Sequence, residues 1–110
     1  MTPKAQRIVI AEECGWKEIR SLDWIPLGIP PTRRNGFEYI PDYPGCLNAM
    51  HEAIESLSYQ DQVEWVYKLG EVLGFRNRND WTEISMIQAT AAQRAEAFLR
   101  TIGKWEGDVE

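Results

Sequence analysis

The sequence is poor in the residues from which metal sites, disulfide frameworks and membrane spans are made. It has two cysteines, Cys14 and Cys46, and a single histidine, His51. These residues lack the spacing of any standard zinc site. No run approaches the roughly 20 apolar residues of a membrane helix, and the first residues lack the apolar segment of a signal peptide. We therefore expect a soluble cytosolic protein with two free thiols, no metal and no cofactor.

Concentrated positive charge is also missing. The chain carries 12 Lys and Arg residues against 17 Asp and Glu residues, a formal net charge of −5, and the two signs are interleaved. Binding to duplex nucleic acid needs a basic surface that releases counterions. We therefore expect neither duplex nucleic acid nor a membrane as a partner. The pairs Arg33–Arg34 and Arg76/Arg78 are small and suit only a compact anionic ligand.

What is present is the composition of one globular domain. The 110 residues are 44% hydrophobic and 26% charged, and a chain of this length buries roughly 65% of its unfolded surface. We expect a single domain over residues 1–110, with residues 1–4 and 106–110 frayed. Five tryptophans are an unusual number, and tryptophan is common where proteins contact other molecules.

The first half of the chain carries signals for two helices. Thr2 followed by Pro3 predicts a helix start, with Gly15 at the end, although the β-branched run 8–10 also suits a strand. A second helix is predicted within residues 41–58, with Asp42 as its N-cap. Its apolar residues recur at helical spacing: Leu47, Met50, Ile54 and Leu57.

Two more helices are predicted in the second half. Ser58 and Asp61 have the spacing of a capping box, and the helix that they begin ends at Gly74. Its apolar face is predicted to contain Val63, Val66, Tyr67 and Leu73. Trp65 lies one residue off this face, so we expect it to contact a partner subunit. Thr90 and Gln93 begin a final helix that ends at Gly103, with a predicted apolar face of Ala91, Ala95, Phe98, Leu99 and Ile102.

Strand signals are weaker. Residues 16–24 alternate imperfectly between apolar and polar, residues 37–40 suit a short strand or an extended segment, and residues 81–89 suit another strand. Between them, the prolines and glycines of residues 26–36 predict a loop, with a tight turn at Asn35-Gly36. We predict an α+β fold in which a small two- or three-stranded antiparallel sheet is covered by about four helices, an α-β-α sandwich.

Three segments together resemble the phage ABA sandwich domain family. They are Cys14–Lys17 (Cys-Gly-Trp-Lys), residues 40–53 with Ile-Pro-Asp-Tyr leading into Leu-Asn-Ala-Met-His-Glu-Ala, and residues 89–100. The resemblance covers about residues 5–105. It implies a small phage or prophage protein with a sheet between helices, acting in the cytoplasm of a bacterial host. The family offers no catalytic motif that can be transferred to this chain.

Two kinds of reactive side chain are candidates for catalysis. His51 lies on a predicted helix with Glu55 one turn later and Asp42 near the helix start, so it suits a general base or a local ion pair on the surface. Cys46 lies near a helix N-terminus, which favours a thiolate. Cys14 and Cys46 equally suit small buried side chains, and we predict no catalytic residue.

The more interesting candidates are arginines and tryptophans on predicted loops and at their borders. Guanidinium groups match phosphate geometry, and an indole beside them would stack on a base. The alternative is that these arginines are solvated loop charges. The candidate ligand-binding residues, together with His51, are Arg33, Arg34, Arg76, Arg78, Trp24 and Trp81.

These features favour a non-catalytic, homo-oligomeric binding protein, and the family resemblance implies a phage origin and a role in host takeover or counter-defence. It would either sequester a small nucleotide-derived immune signal or block a host defence protein. The alternatives are a small nucleotide hydrolase that uses His51 and a structural or assembly protein of the virion.

Overall fold

A computed structural model describes residues 1–22, 25–32, 36–74 and 87–106. This part of the chain contains four α-helices and a three-stranded antiparallel sheet with strand order β1-β2-β3. The elements in chain order are α1 (Pro3–Glu13), β1 (Lys17–Leu22), β2 (Ile25–Ile29), β3 (Glu38–Tyr39), a 3-10 turn (Tyr43–Gly45), α2 (Leu47–Glu55), α3 (Tyr59–Val72) and α4 (Ala91–Thr101). The predicted α+β fold with a small antiparallel sheet packed with four helices is confirmed.

The start of α1 is set by its cap, as predicted. The Thr2 hydroxyl accepts a hydrogen bond from the Ala5 amide at 3.1 Å, and Pro3 occupies the first helical position, where its missing N–H costs nothing. At the other end Gly15 has a φ of +96°, which reverses the chain after the helix. The cap and the glycine outweigh the β-branched residues 8–10, which form helix and include the fully buried Ile10.

The prediction of a loop over residues 26–36 is wrong at its start, because β2 runs through it. Pro26 is the second residue of this central strand. It has no N–H to donate, but its carbonyl accepts a hydrogen bond from the Ile40 amide at 3.1 Å. Prolines are mostly confined to sheet edges, so the sequence signal pointed away from a strand that tertiary pairing nevertheless forms.

Close packing explains the glycine in the same strand and an irregularity opposite it. A Cβ added at Gly28 would lie 3.1 Å from the Lys17 carbonyl oxygen. The pairing register of β1 shifts between Lys17 and Arg20, and Glu18 has a φ of +49°. One extra residue therefore bulges from β1, which is why the alternation in residues 16–24 is imperfect.

Two other strand predictions have different outcomes. The short strand predicted within residues 37–40 is confirmed as β3. The predicted strand at residues 81–89 falls mostly outside the described residues, and its last three residues do not form a strand. Asn35 of the predicted tight turn and the predicted loop at residues 75–80 also lie outside the described residues.

The helix predicted within residues 41–58 is confirmed, but its predicted cap is wrong. Asp42 precedes the 3-10 turn and makes no side-chain cap hydrogen bond. The extended backbone of Cys46 (φ −133°, ψ 114°) separates this turn from α2, so Cys46 takes the N-cap position. Met50 and Leu57 are buried as expected, whereas Leu47 is exposed.

In α3 the predicted cap is correct and the predicted apolar face is not. The Ser58 hydroxyl accepts a hydrogen bond from the Asp61 amide at 3.2 Å. The side that is buried contains Trp65, Leu69 and Gly70. Of the predicted face, Val63 and Val66 are exposed, whereas Tyr67 is partly buried and Leu73 packs against the core.

Trp65 therefore belongs to the core rather than to a contact with a partner subunit. A buried indole N–H needs an acceptor, and that of Trp65 donates to the Arg94 carbonyl on α4 at 3.2 Å. The alanines of α4 leave room for the large ring. Spacing alone did not distinguish the two sides of α3, because both carry apolar residues at helical intervals.

The final helix follows its sequence signals closely. Thr90 and Gln93 form a complete capping box, with hydrogen bonds of 3.1 and 2.9 Å. Gly103 follows the helix with a φ of +74°. The buried residues of α4 are Ala91, Ala95, Ala97, Phe98 and Leu99. This confirms most of the predicted face and makes α4 the centre of the helical layer.

Helix α1 joins the sheet to the other helices. It contacts β1 and β2 as well as α4 and the 3-10 turn. The Arg7 guanidinium donates a hydrogen bond to the Ile40 carbonyl just after β3, and Met1 packs against the core. None of the helices in the described ranges is both long enough and apolar enough for a bilayer crossing.

Replacing Trp65 with phenylalanine tests the orientation of α3. We expect the free energy of unfolding to fall by about 1–2 kcal/mol, because the change removes packed volume and the hydrogen bond from the indole to the Arg94 carbonyl. Val66→Ala, one position along the same helix, should change it by no more than about 0.5 kcal/mol. Urea denaturation followed by circular dichroism measures both, and a larger loss for Val66→Ala would contradict this orientation.

Candidate functional site

A cleft of about 310 Å³ opens where the end of α1, the segment after β2, the 3-10 turn and α2 meet. We call it the α1–α2 cleft. Its described lining combines three prolines, two aromatic residues, two carboxylates, a thiol and the aliphatic hydroxyl groups of Thr32 and Ser56. The lining residues are Cys14, Trp16, Pro30, Pro31, Thr32, Glu38, Pro41, Tyr43, Glu52, Ala53 and Ser56.

The turn after α1 positions one wall of this cleft. Gly15 reverses the chain, and the Trp16 amide donates to the Ala11 carbonyl at 3.0 Å, so Cys14 and Trp16 stay close to the helix end. A Cβ added at Gly15 would lie 3.2 Å from the Pro31 side chain. Glycine is needed here both for its positive φ and for this close approach.

A row of polar side chains connects three of these segments: the end of α1, the 3-10 turn and the end of α2. Tyr43 is 5% exposed, and hydrogen bonding with the side chains of Trp16 and Cys14 contributes to the pKa of its hydroxyl. The Cys14 thiol in turn lies 3.7 Å from the Ser56 hydroxyl. Because an indole N–H can only donate, Trp16 is the donor to Tyr43. We call these four residues the Tyr43 row.

The ionisable groups of the Tyr43 row are held in their protonated forms. Burial raises the pKa of the Cys14 thiol above its ordinary value, while hydrogen bonds from Ser56 and Tyr43 partly oppose that shift. Burial is also the largest cause of the raised pKa of the Tyr43 phenol. At neutral pH the row is therefore uncharged, and the Cys14 thiol is a poor nucleophile.

Formal charge in the lining of the α1–α2 cleft is negative. Glu38 and Glu52 contribute carboxylates, and no Lys, Arg or His occurs among the described lining residues. Glu52 also contributes to the raised pKa of Tyr43, so its carboxylate acts on the floor of the cleft. This environment favours a cationic ligand over an anionic one.

A second surface lies on the outward side of the sheet. Arg20 pairs with Leu27, and Leu27 pairs with Tyr39, so these three side chains share one face. The Arg20 guanidinium lies over the Phe37 ring, 5.0 Å from its centroid. Phe37 and Tyr39 line a shallow cleft of about 240 Å³ with Leu27. We call Arg20, Leu27, Phe37 and Tyr39 the aromatic sheet surface.

Most of the residues predicted to bind a ligand cannot be placed relative to either cleft. Arg33, Arg34, Arg76, Arg78, Trp24 and Trp81 all lie outside the described residues. His51 is described, and it lies on the surface of α2. Its Nε2 is 2.9 Å from Glu55 Oε1, with the two side chains 69% and 66% exposed. This is the local ion pair that the sequence offered as the alternative to a general base.

The sequence contained a signal for the α1–α2 cleft that residue chemistry alone did not reveal. Cys14 and Trp16 come from one segment that carries the phage family resemblance, and Pro41, Tyr43 and Glu52 come from another. The fold brings these two segments together. Tyr43 and Trp16 were missed as a pair because neither is charged or catalytic by itself.

Comparisons with protein-family models, curated proteins and solved structures give no match for this chain. The resemblance to the phage ABA sandwich domain family therefore stays a prediction. Within the described ranges, no group of three or more His, Cys, Asp or Glu side chains is arranged to hold a metal ion.

The two cysteines should differ in reactivity. Cys14 is partly buried with a raised pKa, whereas Cys46 is exposed. At pH 8 we expect iodoacetamide to alkylate Cys14 about tenfold more slowly than Cys46, since less thiolate is present and access is restricted. Mass spectrometry of the single-cysteine variants Cys46→Ser and Cys14→Ala measures the two rates. Equal rates would contradict the uncharged Tyr43 row.

The raised pKa of Tyr43 should make the folded protein sensitive to alkali. A group whose folded pKa is raised stabilises the fold below its unfolded pKa, here 10.0, and this stabilisation is lost as the pH rises further. The free energy of unfolding should therefore fall less steeply above pH 10 in Tyr43→Phe than in the unmodified protein, by up to about 1.4 kcal/mol per pH unit.

The control for this measurement is Tyr59→Phe, because Tyr59 is 81% exposed. Urea denaturation between pH 9 and 11 gives the slopes of all three proteins. Tyr59→Phe should follow the unmodified protein. Parallel slopes for Tyr43→Phe and Tyr59→Phe would show that the phenol of Tyr43 is not the group responsible.

Proposed function

We propose that this protein is a non-catalytic binding protein that blocks a host protein by means of the aromatic sheet surface. The observation that carries the proposal is the exposure of two neighbouring aromatic residues, Tyr39 at 69% and Phe37 at 43%, beside the guanidinium of Arg20. Tyrosine, phenylalanine and arginine are enriched in protein interfaces. Tyrosine and arginine are also enriched among the interface residues that contribute most of the binding energy.

The position of these residues on a sheet strengthens the argument. Tyr39 lies in β3, and Arg20 lies in β1, so hydrogen-bonded strands fix their backbones before any partner arrives. Side chains that are already ordered lose less conformational entropy when they bind. A single exposed apolar residue needs no explanation, but two exposed aromatic residues that line one cleft, one of them beneath an arginine, indicate a contact surface. A complementary partner would offer an apolar pocket flanked by hydrogen-bond acceptors for Arg20.

A host protein as the partner follows from the family resemblance. That resemblance supports a phage origin, the cytoplasm of a bacterial host as the place of action, and host takeover or counter-defence as the purpose. Sequestration of a nucleotide-derived immune signal remains the other form of this prediction. Its candidate arginines and tryptophans lie outside the described residues, and the carboxylates of the α1–α2 cleft do not favour an anionic ligand.

The absence of catalysis is supported by the state of the candidate nucleophile and base. The Cys14 thiol is held protonated, and the Nε2 of His51 is engaged by Glu55 on an exposed helix surface. The nucleotide hydrolase and the virion component stay alternative predictions. A hydrolase would convert a nucleotide to product in a manner abolished by His51→Ala, and a virion component would be found in purified particles.

The prediction of a homo-oligomer loses the residue on which it was based, because Trp65 is buried within the subunit. The outward side of α3 carries exposed apolar residues instead, Tyr59, Val63 and Val66. Self-association stays a prediction that the following experiment also addresses.

Site-specific photo-cross-linking tests the aromatic sheet surface. A benzoylphenylalanine placed at position 39 should yield one discrete adduct with a host protein when the chain is produced in bacterial cells and illuminated. The same group at position 59 is the matched control, because Tyr59 is also an exposed tyrosine but lies on α3. We expect no such adduct from position 59. Mass spectrometry identifies the cross-linked protein.

A variant confirms that the adduct reports binding. The Phe37→Ser change, made alongside the cross-linker at position 39, should reduce the yield at least about fivefold, which corresponds to roughly 1 kcal/mol of lost binding energy. Circular dichroism confirms that the variant is folded. Equal adducts from positions 39 and 59, or none from position 39, would contradict the proposal. An adduct of twice the chain mass would instead identify a second copy as the occupant.

A further inference from the structure

We propose that the α1–α2 cleft binds a small organic cation, namely an ammonium group carried on a short alkyl chain. Nothing in the proposed function requires this site, although Glu38 lines both this cleft and the shallow cleft of the aromatic sheet surface. The cleft combines aromatic rings, a carboxylate and apolar walls. Those are the groups that together recognise an alkylammonium ion.

The size of the cleft fits one small group. A volume of about 310 Å³ is at the lower limit of typical ligand pockets, which hold roughly 300–1,000 Å³. The walls formed by Pro30, Pro31 and Ala53 are apolar and suit the methylene groups of an alkyl chain. They also argue against a bare metal ion, which needs several oxygen or nitrogen ligands at close range.

Trp16 is the more accessible of the two aromatic residues of the cleft. It is partly buried and lines the cleft, whereas Tyr43 is only 5% exposed. Because the π-system of an indole attracts cations, Trp16 is the aromatic residue that we expect to contribute to binding. The Cys14 thiol remains protonated and so adds no charge that depends on pH near neutrality.

Glu52 supplies the charge that complements an ammonium group. Its residue is exposed at the edge of the cleft, and within the described ranges no ion pair involves it. Glu52 and Trp16 line the same cleft, so one small ligand can contact both. A cation bound between Glu52 and Trp16 would experience both attractions at once.

Nuclear magnetic resonance titration tests this site with three probes of similar shape. The indole N–H signal of Trp16 should shift on addition of n-butylammonium, less on addition of n-butanol, and least on addition of butyrate. N-acetyl-lysine-methylamide is titrated in parallel. Binding of either amine supports the proposal. The amine that binds more tightly shows whether the ammonium group belongs to a free amine or to a lysine side chain.

Two charge-neutralising variants make the test specific. Glu52→Gln should weaken n-butylammonium binding about threefold, as expected for a partly exposed charge pair, and should leave n-butanol binding unchanged. Glu71→Gln is the matched control because it removes the same charge from α3, where Glu71 pairs with Lys68. It should change ammonium binding much less than Glu52→Gln.

A third variant examines the aromatic contribution. Trp16→Leu should weaken n-butylammonium binding about threefold. Because this variant lacks the indole signal, the titration is monitored by the backbone amide signals of Cys14 and Ser56. If this variant does not fold, the comparison of Glu52→Gln with Glu71→Gln still decides. Equal effects of those two glutamine variants would overturn the proposal. The proposal would also be overturned if neither amine bound. It would equally be overturned if butyrate or inorganic phosphate bound more tightly than the amines, a result that would indicate binding by the arginines that follow Thr32 in the sequence.

Discussion

The buried hydroxyl of Tyr43 is the constraint on which the region around the cleft depends. A buried polar group must find partners within the fold, and this one finds them on Trp16 and Cys14. Those residues come from the end of α1, whereas Tyr43 belongs to the turn that precedes α2. The phenol thus links the end of α1 to the turn that precedes α2, and the surrounding groups stay uncharged.

The same arrangement explains why the cleft is suited to binding rather than to catalysis. Chemistry by a thiol needs the thiolate, and burial raises the pKa of the Cys14 thiol so that it stays protonated. Binding has no such requirement. The carboxylate of Glu52 lies at the edge of the cleft, so a ligand can be attracted by charge and held by rings. The outward side of the sheet offers a different chemistry, in which Arg20 and Phe37 present a cation and an apolar ring to a larger partner.

Sequence reasoning succeeded where the determining interactions are local. The caps at Thr2, Ser58 and Thr90 each depend on a hydrogen bond to an amide three residues later, and such spacing is visible in the sequence. It failed where long-range contacts decide. Pro26 joins a central strand because Ile40 is placed to donate to its carbonyl, and α3 turns Trp65 inward because Arg94 offers an acceptor. The cleft was missed for the same reason. Trp16 and Tyr43 are 27 residues apart in the sequence, and neither is reactive alone.

The extra residue in β1 has a consequence for how this chain can change over time. Beyond the bulge at Glu18, Arg20 rather than Ile19 is opposite Leu27, and Ile19 packs against the core. Side chains alternate between the two faces of a strand. If one residue between positions 17 and 20 were removed, the residues on one side of the deletion would therefore point to the opposite face of the sheet. A guanidinium and an isoleucine would then compete for the wrong environments. Substitutions in this segment are consequently easier to tolerate than any change in its length.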